Sequence, residues 1–363
     1  MKTFFFTGYP GFLGTELIRT LLPAMPDVTA ACLVQKKFMP QAQQSVQKLC
    51  QEKPTLAGRI QLIEGDITLP DLGITSELDA LQENIDQIFH LAAVYDLAVS
   101  LEIGTKVNVD GTRNTLEFAK KCKQLSVFQY VSTCYVSGRH PGRFCETDLD
   151  LKQEFNNFYE QTKFEAEKLV QNEMKQGLPG IIYRPAVVVG DSTTGATAKF
   201  DGPYYFIQWL LRQSRYALIP MIGNPKAHTI NIVPSDYVVR AMAYLSQRPE
   251  LIGKTFHLSD PHPLTVHDMI HELGRASGKK IVSLPISLGI AQFSLSHIQL
   301  LQKFLRIPPA TLNYFVHPTE YSSDFTQKIL NEGQIKIPPF QNYSAALVHF
   351  MKQHPEIRNQ AMN

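Results

Sequence analysis

Cysteine, charge and long apolar runs are all in short supply in this 363-residue chain. The five cysteines (Cys32, Cys50, Cys122, Cys134 and Cys145) are odd in number and form no CxxC pair. They read as reduced thiols in a cytoplasmic protein rather than as a disulfide framework, and no metal site is expected. Formal net charge is only +2, with lysine and arginine scattered, so there is no basic stripe for nucleic acid. No run reaches the 18 or so apolar residues of a membrane span. The Phe4–Phe6 run is too short, and too soon followed by glycine, for a signal peptide. Ile286–Leu305 is apolar but broken by Ser, Gln and His, which predicts an amphipathic helix packed on the domain, with membrane contact disfavoured. Internal repeats and low-complexity tracts are missing too.

What remains is a composition of 44% hydrophobic and 19% charged residues, that of a globular protein. The length suits one large domain plus a smaller one. The most informative stretch is MKTFFFTGYPGFLGT. A short aromatic strand stops at Thr7, and Gly8, Gly11 and Gly14 follow at three-residue spacing. A helical pattern then begins with Phe12, Leu13, Leu17 and Ile18. Strand, glycine turn and helix together form a nucleotide phosphate site, because glycine lets the backbone approach the pyrophosphate and the helix start offers free N–H groups. Tyr9, Pro10, Phe12 and Leu13 belong to the same turn.

Strands alternate with helices through the first half. Val28–Val34, Arg59–Ile63, Gln87–Leu91, Val127–Ser132 and Ile181–Val189 read as strands, and Met39–Glu52, Thr105–Lys123 and Asn157–Lys175 as helices. This order predicts an α/β fold, a Rossmann-type doubly wound parallel sheet. Residues 1–190 would form the dinucleotide domain, with return segments near 228–260, and residues 191–363 a smaller, mostly C-terminal substrate domain.

An enzyme preferring NAD usually carries an acidic residue after the second strand to hold the ribose 2′-hydroxyl. Gln35, Lys36 and Lys37 stand there instead, with no carboxylate to repel a 2′-phosphate. NADP(H) is therefore expected over NAD(H). Asp66 and Ile67 after the third strand could hold the adenine, and Leu91, Ala92 and Ala93 after the fourth let a cofactor lie close to the backbone.

Tyr159 and Lys163 are four apart in a helical pattern and so share a face. A carbonyl reduction needs an acid for the forming alkoxide, and a nearby lysine cation would lower the tyrosine pKa toward the working range. A hydroxyl from Thr133 or Ser132, at the end of the fifth strand, could hold the carbonyl. Asn108 could support a water path to Lys163.

Together TGYPGFLG, GDI, HLAA, NVDGT, VSTCYVSG, YEQTK and YRPAVVVGDS resemble the extended short-chain dehydrogenase/reductase family over roughly the first 190 residues. HLAAVYDL, VSTCYVSG and GDSTTG…FDGPYYF most resemble its thioester-reductase or fatty acyl-CoA reductase (male sterility) branch. The resemblance implies Thr133 as the carbonyl-polarising hydroxyl, Tyr159 as proton donor, Lys163 as ribose anchor and Asn108 as support. It also implies Gly8, Gly11 and Gly14 around the pyrophosphate, Asp66 and Ile67 at the adenine, and Tyr183, Arg184 and Pro185 beside the nicotinamide. Ser137 departs from the tyrosine that many sugar-modifying relatives carry after the valine, and the Gln35–Lys37 run from the arginine frequent in NADP-using ones.

On the substrate side, the segment from Asp201 to Leu211 packs Tyr204, Tyr205, Phe206 and Trp209 into six residues. Such a wall suits an acyl chain or a flat apolar ring, or else a core. Tyr95, Tyr135, Tyr204, Tyr205, Trp209 and His228 are the expected substrate contacts, and Lys199, Arg212 and Arg215 could take a phosphate from a thiol arm. The reading is an NADP(H)-dependent reductase of an apolar carbonyl compound, an acyl thioester or the derived aldehyde. An acyl carrier or CoA is a compatible partner, and a homodimer a compatible assembly. The alternatives are a sugar-nucleotide epimerase or dehydratase with retained NAD, a ketone- or steroid-type dehydrogenase, and a non-catalytic NADP redox sensor.

Overall fold

Three consecutive phenylalanines, Phe4, Phe5 and Phe6, are buried on both sides of the first strand, β1 (Lys2–Thr7). Phe5 packs on Phe118, while Phe4 and Phe6 pack on Phe89. A strand covered on both faces has no polar side to show, which is why its sequence reads as an unbroken apolar run. The computed structural model describes residues 2–287, 289 and 309–357.

β1 lies in a seven-stranded parallel sheet with β2 (Val28–Val34), β3 (Ile60–Glu64), β4 (Ile85–His90), β5 (Val127–Val131), β6 (Gly180–Pro185) and β7 (Thr255–Leu258). Their order is β7-β6-β5-β4-β1-β2-β3, and every pair is parallel. The winding reverses between β1 and β4, and the carboxyl ends of these strands frame the ligand crevice of such sheets. On one face lie α1 (Phe12–Leu21), α2 (Met39–Glu52) and a later helix, Ser235–Leu245. On the other lie α3 (Leu78–Asn84), α4 (Gly111–Lys121) and α5 (Phe158–Lys175). This is the doubly wound α/β architecture that the alternation of elements implied.

The expected strand Ile181–Val189 is two strands. β6 ends at Pro185, and Val187–Val189 pairs separately with Ile232–Pro234. The expected helix Thr105–Lys123 is also composite, π-helical over Thr105–Asp110 and α-helical only from Gly111.

A further core gathers α6 (Tyr204–Arg212), α8 (Val266–Ser277) and α10 (Phe340–Gln353) around the sheet's carboxyl edge, and α7 (Ser235–Leu245) bridges back to α1 through the first core. Between α8 and α10 the chain re-enters the sheet layer where Thr319–Tyr321 pairs with Gly142–Phe144 and α9 (Asp324–Glu332) packs on β7. No local pattern in the sequence signals that return. Of the expected helix Ile286–Leu305, Ile286 ends a strand, Lys280–Ile286, and most of the remainder lies outside the described residues. No helix among the described residues is long and apolar enough to cross a membrane.

Candidate active site

The turn after β1 is closed by its own backbone, with Gly11 N–H donating to the Gly8 carbonyl at 2.9 Å. Gly8 has φ +86°, and a Cβ there would lie 2.8 Å from the Ala92 nitrogen; at Gly11 it would lie 2.6 Å from the Gly8 oxygen. Only glycine fits either position. The first turn of α1 carries no acidic side chain, so the free N–H groups there face no competing charge. Pro10 and Phe12 are half-buried and Leu13 packs on the core. Tyr9 differs from expectation. Its ring is buried in the core, which pushes its phenol up to about 12, so only its backbone belongs to the loop.

Gln35 donates to Asp66 at 2.9 Å, and Asp66 also accepts from Thr68 N–H at 2.9 Å. Lys36 and Lys37 are exposed at this edge, Lys37 lying over the Phe38 ring. Ile67 is buried against Gly111. Leu91 and Ala92 run beside Gly8, and Ala93 is exposed. His90, unassigned by the sequence, links these pieces. Thr112 donates to the Asn108 carbonyl at 2.6 Å, so its oxygen accepts from His90 Nε2 at 3.0 Å. His90 Nδ1 then accepts from Thr7, 2.7 Å away, which itself accepts from Ala92 N–H. Burial holds this imidazole neutral, its pKa down to about 3.

Asn108 sits in the π-helical stretch, a local irregularity that re-aims a side chain. Its Oδ1 accepts from Val94 N–H at 2.9 Å and its Nδ2 donates to Thr162 at 3.0 Å. It thus ties the loop after β4 to α5. Asn157 caps α5, accepting from Glu160 N–H at 3.0 Å, and the helix presents Tyr159, Lys163 and Glu167 in successive turns.

Lys163 Nζ donates to the Val131 carbonyl at 2.8 Å and the Tyr130 hydroxyl at 3.1 Å, and burial brings its pKa down to about 8. The Tyr159 phenol is pushed up, first by burial, with the nearby Thr133 hydroxyl working against the rise. This corrects the expected lowering. Burial dominates, and Lys163 is turned to Tyr130 and Val131. Thr133 and Tyr159 are thus together; Thr133 accepts from Tyr135 N–H at 3.2 Å and donates to the Pro185 carbonyl at 3.5 Å. The alternative hydroxyl is committed elsewhere, since Ser132 donates to Glu167 at 2.5 Å.

Tyr183 and Arg184 do not line the crevice. Tyr183 is fully buried and donates to Gln129 at 2.7 Å. Arg184, equally buried, is paired with Glu167 at 2.6 Å. Successive side chains of β6 enter the two covering layers; Pro185, buried too, ends the strand, and its carbonyl accepts from the Thr133 hydroxyl.

In front of Tyr159 lies an apolar chamber lined by Tyr95, Leu97, Tyr135, Val187, Gly202, Pro203, Phe206, Ile230, Met269, Tyr314 and Phe315. Tyr95 stands edge-on to Tyr159, with ring centroids 5.1 Å apart, and Tyr135 edge-on to Tyr314 at 4.8 Å. Tyr135 also walls a second space of about 200 Å³, beside His317 and Tyr321. The expected contacts from α6 are corrected. Tyr204 is core, its hydroxyl accepting from Gly190 N–H at 2.9 Å; Tyr205 and Trp209 pack in the second core; Phe206 alone of the four aromatics lines the chamber. His228 lines neither space. Lys199 is paired with Asp201 at 3.0 Å and lies over the Tyr95 ring. Pro203 and Phe206, three residues apart at the start of α6, line the chamber together. Met269, Tyr314 and Phe315 come from distant segments with no local signal.

The family model described as male sterility protein, an NAD-binding domain, matches residues 6–242. The candidate fatty acyl-CoA reductase CG8303 of Drosophila melanogaster is 29% identical over 312 residues, covering 70% of this chain and 55% of that protein. Glycine betaine reductase ATRR of Emericella nidulans is 28% identical over 291 residues, covering 75% of this chain and 22% of that one. The chain thus spans about half of the first relative and under a quarter of the second. The crystal structure of the terminal R domain from the myxalamid PKS-NRPS pathway superposes with a TM-score of 0.82 at 28% identity, covering 98% of this chain and 92% of that one. UDP-glucuronic acid 4-epimerase from Bacillus cereus (TM-score 0.69, 19% identity, 97% of this chain and 99% of that one) shares the fold. With its glycine turn, its strand order and the match over residues 6–242, the chain belongs to the male sterility protein family of NAD-binding domains.

Proposed function

We propose that the chain is an NADP(H)-dependent reductase of an apolar carbonyl substrate, an acyl thioester on CoA or an acyl carrier, or the aldehyde derived from it. The observation that carries this reading is Tyr159 in the wall of the apolar chamber, with Thr133 beside it and Lys163 one turn further along the same helix. None of the residues lining that chamber is charged, which suits an acyl chain better than a sugar diphosphate.

The glycine cradle that any Cβ would fill fits a pyrophosphate, with Asp66, Ile67 and Leu91–Ala93 along the nucleoside and Lys36 and Lys37 at a 2′-phosphate. When bound, the nicotinamide supplies the hydride. Thr133 and Tyr159 would hold the carbonyl oxygen. Burial keeps the phenol protonated, so Tyr159 arrives as an acid and hands its proton to the oxygen as negative charge develops there. Lys163, one turn further along the same helix, would anchor the ribose, and Asn108 would hold the loop after β4 against that helix. A hydride and a proton added to a thioester give a hemithioacetal, which expels the thiol and leaves an aldehyde; a second hydride and proton give the alcohol.

The test is NADPH oxidation, with NADH alongside, against acyl-CoAs, long-chain aldehydes, ketones and steroids. Turnover of thioesters or aldehydes with NADPH is expected. Turnover confined to ketones or steroids, or tightly bound NAD in the purified protein, would replace this reading.

A further inference from the structure

Two turns beyond Tyr159 and one beyond Lys163, Glu167 is a carboxylate with no exposure to solvent. It accepts from Ser132 at 2.5 Å, from Gln171 at 3.0 Å, and from Arg184 through Nε at 3.1 Å and a terminal nitrogen at 2.6 Å. Arg184 is held in turn. It donates to the Asp148 carbonyl at 2.7 Å and to His257 Nε2 at 3.0 Å, while His257 Nδ1 donates to the Ser322 carbonyl at 2.7 Å. That direction is forced, because a carbonyl only accepts and burial beside Arg184 keeps the imidazole neutral. Glu167 therefore joins three pieces: the helix bearing Tyr159 and Lys163, the residue preceding Thr133, and the neighbouring strand β6.

We propose that Glu167 is a positioning residue for carbonyl reduction, which through Ser132 fixes the strand end that carries Thr133 against the helix that carries Tyr159, and which neighbours Lys163 one turn along that helix. The inference rests on the reductase reading. A purely structural ion pair would need neither the Ser132 link nor the alignment with the two functional side chains. The groups facing Lys163 are the Tyr130 phenol, the Val131 carbonyl, the neutral His90 ring and Glu167. Glu167 is the anion among them, and it favours the protonated amine against burial.

The experiment uses the full chain with NADPH and decanal or decanoyl-CoA. Ser132→Ala keeps the ion pair and removes only the link to the strand end. It is expected to lower kcat about 10-fold, with NADPH affinity and Tm nearly unchanged, and Ser132→Thr is expected to recover most of kcat. Glu167→Gln is expected to move the alkaline limb of the pH–rate profile, set by Lys163 near pH 8, downward by about one pH unit. If Glu167→Gln does not fold, because Arg184 is left buried and unpaired, the Ser132 pair decides alone. Equal losses in S132A and S132T that follow Tm, S132A at wild-type kcat, or an unmoved alkaline limb in folded E167Q would overturn the proposal. A wild-type chain that reduces neither probe fails the reductase reading instead. The clamp is then judged by NADPH titration, where E167Q must bind more weakly than wild type at pH 8 but not at pH 6.

Discussion

On the sheet side of the site, Lys163, Glu167 and Arg184 are each held by at least two hydrogen bonds. The chamber opposite is walled by Phe206, Met269 and Phe315, which offer shape alone. Buried polar groups are costly unless paired, so the first region has one arrangement and tolerates little change. Apolar walls can be repacked at constant volume. The difference separates chemistry from selectivity, with the reacting geometry set by the network and the choice of substrate by the wall.

The largest expected effect falls on the network side. Tyr159→Phe removes the proton donor without altering the ring, and kcat should drop by roughly 10²–10⁴, while NADPH fluorescence titration shows retained binding. Retained turnover would dissolve the contrast. Gly8→Ala should cost about 2–4 kcal/mol in a urea melt and abolish NADPH binding, because its Cβ meets the Ala92 nitrogen at positive φ.

On the wall side, Phe206→Ala should cost about 3 kcal/mol yet leave a folded enzyme that accepts bulkier acyl groups, read as a shift in relative kcat/KM across a branched-chain panel. A uniform loss of activity would assign Phe206 to the core alone. Smaller still, Lys36→Glu with Lys37→Glu should reduce the NADPH-over-NADH preference about 10-fold, since exposed charges are screened. A separate effect, not tied to one variant, is on stability in acid. His90 and His317 are buried and held neutral, with pKa values down to about 3 and about 4. Below the ordinary histidine range the unfolded chain takes up protons that the folded one refuses. Stability should then fall between pH 6.5 and 4 by about 1.4 kcal/mol per pH unit for each histidine. A melt series with His90→Gln, in which the slope falls by about 1.4 kcal/mol per pH unit, checks the sign.

Much of the network side is legible in the chain because its signals are local. The glycine spacing after an apolar strand, the four-residue step from Tyr159 to Lys163 and the strand-end Ser132–Thr133 pair are short-range patterns. Each is tied to a backbone geometry that the structure contains. Arg184 and Tyr183 escape such patterns because a motif beside the site says nothing of which layer each side chain enters. The tyrosine pKa escapes them too, because burial outweighs the nearby charge. On the wall side only the aromatic segment is visible in the sequence, without its division into core and lining. Tyr204 and Ile207 face the core, and Pro203 and Phe206 the chamber, a division that depends on where α6 docks.

Periodicity and steric rules acting over a few residues were enough to set the alternation of strands and helices, the phosphate turn and the common helix face of Tyr159 and Lys163. The folded arrangement had to settle that Ser132 serves Glu167 while Thr133 lies beside Tyr159, and that Met269, Tyr314 and Phe315 close one chamber. Those outcomes depend on contacts between segments far apart in the chain, where packing and hydrogen-bond pairing select among partners that no local pattern ranks.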